Sequence, residues 1–129
     1  MAKKETPHPT EGELAILRVL WQHGPCTVRQ VNEALSQGRS TGYTTTLKLM
    51  QIMTEKRLVV RDPSQWPHVY RARLAEEQTQ NQILDRVLDR AFGGSAAKLM
   101  MRLLAAKKVS PKELAKIKTM LDEMERGRS

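Results

Sequence analysis

Three apolar-periodic stretches of this chain are each preceded by a capping-box spacing, and that confines it to short helices with fixed starts. Thr10 with Glu13, Thr27 with Gln30 and Ser110 with Glu113 each place a hydroxyl three residues ahead of a carboxyl or amide. Such a pair satisfies the first free N–H groups of a helix reciprocally. After Thr10, residues Leu14, Leu17 and Trp21 recur at helical spacing, with Ile16 and Leu20 broadening the stripe. Gly24 and Pro25 then stop the pattern, so the spacing predicts a helix over about 11–23. After Thr27, residues Val28, Val31 and Leu35 form one face until the loop-like run at 36–40, predicting a helix over about 28–36.

The third helix, about 43–56, opens oddly. Its start carries Tyr43, Thr44, Thr45 and Thr46, although threonine is a mediocre helix former. Leu47, Met50 and Met53, with Leu49 and Ile52 beside them, are expected to face the first two helices. Thr44, Thr45, Lys48 and Gln51 fall on the opposite side. The segment "LVVRDPSQWPHVYRARL" follows, with β-formers on both sides of a turn that contains two prolines. It reads as a two-stranded hairpin over about 58–62 and 68–74. Three short helices and then a hairpin is the order of a winged helix–turn–helix, whose third helix enters the major groove of DNA.

After Ala75 the texture changes to helix alone. One stretch carries Ile83, Leu84, Val87 and Leu88 and ends at Gly93 and Gly94. A second, from Ser95, bears Leu99, Met100, Leu103 and Leu104. A third begins at Ser110 and Pro111, with Leu114, Ile117, Leu121 and Met124 at heptad spacing. A unit of about 50 residues buries too little surface to be secure alone. Its apolar residues therefore predict a second copy of the chain as partner, with Ile83, Val87, Leu99, Leu103, Leu114, Ile117, Leu121 and Met124 at the interface. The expected organisation is a tail over 1–8, a DNA-binding domain over 9–75 and a helical dimerisation domain over 76–129. The fold class is mainly α with a small β-hairpin.

Charge points the same way. The chain carries 22 Lys and Arg against 14 Asp and Glu, a net of +8, which suits an anionic partner such as nucleic acid. No apolar run reaches the roughly 18 residues of a membrane span, and the N-terminus lacks the apolar core of a signal peptide, so a cytoplasmic location is expected. The single cysteine, Cys26, excludes an internal disulfide framework and a thiolate metal site built from one chain. His8, His23 and His68 are scattered, and no HExxH, GxSxG or phosphate-cradling glycine loop is present. Neither an enzyme nor a cofactor or metal is expected.

The stretches "PTEGELAILRVLWQHGPCTVRQVNEAL", "GYTTTLKLMQIMTEKRLV", "VYRARL", "DRAFGGSAAKLM" and "SPKELAKIKTML" resemble the penicillinase-repressor family (the BlaI/MecI type) over about residues 9–125. The resemblance implies a dimeric winged-helix repressor sitting on a palindromic operator. It places Tyr43, Thr44, Thr45, Thr46 and Lys48 at the start of the recognition helix, and Arg61, His68 and Arg71 in the wing. Many members are inactivated when a membrane sensor system triggers their proteolysis. The Asn-Phe bond cut in such members falls here at about Arg102–Leu103, where neither residue matches. The paired C-terminal cysteines of copper-responsive relatives are also missing from "MLDEMERGRS".

Residue chemistry fits those roles. Threonine hydroxyls can donate to phosphates or base edges, and their methyls can touch thymine methyls, although Thr46 is the one expected to face inward. Lys48 can reach a phosphate or a guanine, and Tyr43 a phosphate. Arg61, His68, Arg71 and Arg73 are candidates for backbone contacts, of which strand alternation permits about half. Arg29 and Arg39 flank the second helix and can meet neighbouring phosphates. Trp21 reads as core, and Trp66, in the wing turn, as either surface packing or a DNA contact. The rival reading is a winged helix used only as a protein-interaction module. That rival would lack the hydroxyls and lysine on the outward face of the third helix.

Overall fold

A computed structural model describes residues 8–36 and 42–127 of the chain. Its elements run α1 (Glu11–His23), β1 (Cys26–Thr27), α2 (Val28–Leu35), α3 (Tyr43–Glu55), β2 (Val59–Asp62), β3 (Val69–Ala72), α4 (Glu76–Phe92), α5 (Ala96–Ala105) and α6 (Pro111–Gly127). This is a winged helix followed by a helical C-terminal region. The expected first helix matches α1 at both ends, and the second and third each end one residue earlier than expected. The hairpin is real but incomplete as a description. Cys26 and Thr27 pair with Tyr70 and Val69, so the sheet has three strands in the order β1-β3-β2. Two residues carry too little alternation to be read as a strand from sequence.

The caps form as the spacings imply. The Thr10 and Glu13 side chains each accept from the other's backbone N–H, at 3.2 and 2.9 Å. Thr27 and Gln30 do the same at the head of α2, and Ser110 and Glu113 at the head of α6. Gly24 closes α1 at φ 82°, a conformation that costs a residue without a Cβ little, and its N–H donates to the Leu20 carbonyl. Arg57 takes the left-handed conformation after α3, at φ 66°, which lets the Leu58 N–H reach back to the Met53 carbonyl.

The chain divides into two compact units, Met1–Ile83 and Leu84–Ser129, with the division inside α4. The first has a core of Ile16, Leu17, Leu20, Val31, Met50, Met53, Val59 and Tyr70, drawn from α1, α2, α3 and the sheet. Met50 and Met53 are wholly buried, so two unbranched thioethers anchor α3. Trp21 is half-buried at the edge of this core, and its indole N–H donates to the Leu74 carbonyl at 2.9 Å, tying the chain leaving β3 to α1. Ile52, expected inside, is 37% exposed and belongs to the outer side of α3.

Glu13 does a second job. Its carboxylate, nearly buried, accepts from Lys56 Nζ at 2.7 Å, joining the start of α1 to the end of α3. Burial alone would raise the Glu13 pKa. Hydrogen bonds from Lys56 and the Thr10 N–H, with the lysine's charge, outweigh it and hold the carboxyl below its usual range.

The second unit is built differently. Among its described residues none is buried. Leu84, Val87, Met100, Leu103, Leu104 and Leu121 are each exposed by 40% or more, and Met101, Met120 and Met124 by 59% or more. α5 is apolar around most of its circumference, a pattern that ordinarily marks an enclosed helix.

A pH-dependent loss of stability should follow from the Glu13 pair. Its depressed pKa contributes stability that is complete above the unfolded value of 4.5 and disappears as pH falls through the lower folded value. Lys56→Met, which leaves the carboxylate short of a donor, should cost about 1–3 kcal/mol at pH 7. Glu13→Gln should flatten the acid limb of the stability profile. Urea unfolding from pH 3 to 7 checks both, and an unchanged acid limb in Glu13→Gln counts against this assignment.

Candidate nucleic-acid interface

The first turn of α3 is where helical periodicity divides the threonines. Successive residues rotate by about 100°, so the four residues of one turn cannot all face outward. Thr46 lies with Met50 and Met53 at intervals of four and three, and it is wholly buried. Its hydroxyl donates to Asn32 Oδ1 at 2.8 Å, locking α3 to α2. Thr46 is therefore a core residue, a correction to its grouping with the DNA-contact candidates. Tyr43, Thr44, Thr45, Lys48 and Gln51 are all exposed. Gly42 is the N-cap of α3 and, having no side chain, supplies no side-chain cap. A phosphate is the natural acceptor at such a helix start.

The wing obeys strand alternation. Arg61 stands opposite Tyr70 and Arg71 opposite Val60, so the two arginines leave opposite faces of the sheet. Both are exposed. Arg71 shares its face with Asp62 and lies close enough to act on that carboxyl. Hydrogen bonds from the Ser64 hydroxyl and N–H, with one from Gln65 and the Arg71 charge, hold Asp62 below the usual carboxylate range. Asp62 thus organises the wing turn and partly offsets one cation. Arg73 is exposed but turned back, its Nε donating to the Arg57 carbonyl at 2.6 Å.

Between wing and helices runs an open cleft of about 430 Å³. Val28, Leu47 and Tyr70 supply apolar lining. Arg29 and Tyr43 come to it from α2 and α3, and Trp66, Pro67 and His68 from the wing. Trp66 is 83% exposed, and its ring meets His68 edge-on at 4.8 Å between centroids. The structure therefore brings Arg29, Tyr43 and His68 together, with Thr44, Thr45 and Lys48 farther along the exposed side of α3. Trp66 joins this group although sequence reasoning left it between packing and contact. The signal available was an indole between two polar residues and two prolines of a turn, Ser64 and Gln65 with Pro63 and Pro67, where a strand or helix face is not expected. Arg39 lies outside the described residues.

Cys26 is buried, its thiol donates to the Gly24 carbonyl, and burial pushes its pKa up, away from reactive thiolate. Among the described residues no group of three or more His, Cys, Asp and Glu side chains could hold a metal ion. No helix among them is long and apolar enough to cross a membrane.

Fold and surface together define a winged-helix protein whose third helix presents hydroxyls and a lysine outward. The family model described as "Penicillinase repressor" matches residues 9–123, and the chain belongs to that family. It is also 41% identical, over 59 residues, to proteins described as "Transcriptional regulator BlaI" from two strains of Mycobacterium tuberculosis, CDC 1551 / Oshkosh and ATCC 25618 / H37Rv. That match takes in 45% of this chain and 43% of each relative, so the chain spans less than half the length of these curated relatives.

The split among the threonines can be measured. Thr46→Val removes the donor to Asn32 and should lower stability by about 1 kcal/mol. Thr45→Val should leave stability within about 0.5 kcal/mol, as exposed substitutions do. Equal losses in urea unfolding would contradict the assigned faces.

Proposed function

We propose that this repressor binds a palindromic DNA operator as a homodimer, reading bases with α3 and positioning itself through the wing and α2. The observation that carries the reading is the exposed run Tyr43, Thr44, Thr45 and Lys48 on α3, opposite its buried Thr46, Met50 and Met53. In a chain of net charge +8, such a surface suits a polyanion with hydrogen-bonding base edges. Thr45 and Lys48 serve as the base-reading pair, with Thr44 and Tyr43 nearer the backbone. Arg29, Arg61, His68 and Arg71 supply sequence-independent contacts. The name "Transcriptional regulator BlaI" borne by the similar proteins agrees with this reading.

The second unit supports the dimer. It exposes leucines and methionines on α4, α5 and α6, none of its described residues is buried, and a second copy is the simplest cover for such faces. Val87, Leu103, Leu114, Leu121 and Met124 are exposed, while Ile83, Leu99 and Ile117 are half-buried. Met101, Leu104 and Met120 add to the surface available for pairing. A pair of recognition helices roughly 34 Å apart then meets successive major grooves. Cleavage at the position matching the family's Asn-Phe bond is not part of the reading, because neither Arg102 nor Leu103 matches that pair.

Footprinting of the purified protein on genomic fragments tests the function. Protection of a two-fold symmetric site is expected, and affinity should fall roughly a thousandfold between about 50 and 200 mM salt if six phosphates are neutralised. Thr45→Ala combined with Lys48→Ala should abolish the footprint without altering sedimentation. No protected site at low salt defeats the DNA-binding reading.

The dimer has its own check. Leu121→Arg with Met124→Glu should shift micromolar protein from a two-chain to a one-chain species in sedimentation equilibrium. A wild-type protein that sediments as one chain at that concentration removes the dimer.

A further inference from the structure

We infer that Trp66 is a DNA-contacting residue, its indole packing on the deoxyribose of a strand whose phosphate is held by Arg29 and Tyr43 across the cleft between wing and helices. The inference rests on the DNA-binding reading above and adds a contact that reading does not contain.

The first support is the cost of the ring's position. An indole exposed by 83% forgoes most of the burial that a tryptophan ordinarily gains, so packing against the described residues of the first unit does not account for its placement. The ring is nonetheless oriented. His68 meets it edge-on at 4.8 Å with the planes 85° apart, and Pro67 follows it directly. An aromatic side chain already held in place loses little entropy when a partner covers it.

The second support is the chemistry of the cleft. Among the described residues no carboxylate lines it, and its charged or polar side-chain groups include the Arg29 guanidinium, the Tyr43 hydroxyl and the His68 imidazole. Arginine and tyrosine donate to phosphate oxygens, and the flat indole suits an apolar sugar face. A sugar–phosphate strand offers both features side by side. The cleft is also continuous with the proposed groove-reading surface, since Tyr43 begins α3 and belongs to both.

Such a contact carries no base information, so a mixed-sequence duplex of roughly 30 base pairs, about three turns, is a sufficient probe. The chain has two tryptophans, and Trp21 is half-buried with its N–H bonded, so emission quenched by acrylamide reports chiefly on Trp66. Trp66→Phe gives the Trp21 baseline. With the full chain at low salt and binding followed by anisotropy of a labelled duplex, saturating DNA should reduce the Trp66 quenching slope about threefold or more. Trp66→Ala, checked for an unchanged melting transition, should weaken binding roughly tenfold and by a similar factor for unrelated sequences. Duplex that binds while Trp66 stays fully quenchable and Trp66→Ala binds normally overturns the inference and leaves the DNA-binding reading standing. Failure of wild-type protein to bind any duplex removes both.

Discussion

The carboxylate of Glu13 links the start of α1 to the end of α3, and the placement of the outward surface depends on that link. One oxygen accepts from the Thr10 N–H, completing the cap of α1, and also from Lys56 at the last turn of α3. Thr46 fixes the other end of α3 by donating to Asn32 on α2. Between these two polar ties, Met50 and Met53 fill the interior. The helix is thus held at both ends by directional bonds and along its length by packing. Its opposite side is left free for Tyr43, Thr44, Thr45 and Lys48.

The two units use their apolar residues in opposite ways. The first encloses Ile16, Leu17, Val31 and the two methionines beneath a small sheet. The second lays Leu103, Leu104, Leu121 and Met124 on its surface. Its caps and helix boundaries are well formed, as the Ser110–Glu113 pair illustrates, so its helices are specified locally while lacking a core of their own. That combination is expected of a segment that completes its packing through association. In the proposed dimer it also fixes the separation of the two recognition helices, on which half-site spacing depends.

Much of the site was legible because α3 is strongly periodic. The interval pattern of Thr46, Met50 and Met53 identifies the inward threonine, and the same rotation sends Thr44, Thr45 and Lys48 outward. Legibility failed where periodicity is short or contacts are distant in sequence. Strand β1 is two residues long, and its pairing with β3 joins positions more than forty residues apart. Ile52 sits at the margin of the apolar stripe, where a hydropathy pattern assigns it inward but packing leaves it 37% exposed.

Local chemistry in the chain determined the caps, the helix limits, the turn of the wing and the family, because each depends on residues a few positions apart or on their order. Tertiary structure alone decided that Glu13 pairs with Lys56, that Arg61 and Arg71 leave opposite faces of the wing, and that Arg29, Tyr43 and Trp66 line one cleft. Those outcomes join residues far apart along the chain, and their geometry depends on how α1, α2, α3 and the sheet pack around a shared interior. No spacing rule along one helix or strand encodes that arrangement.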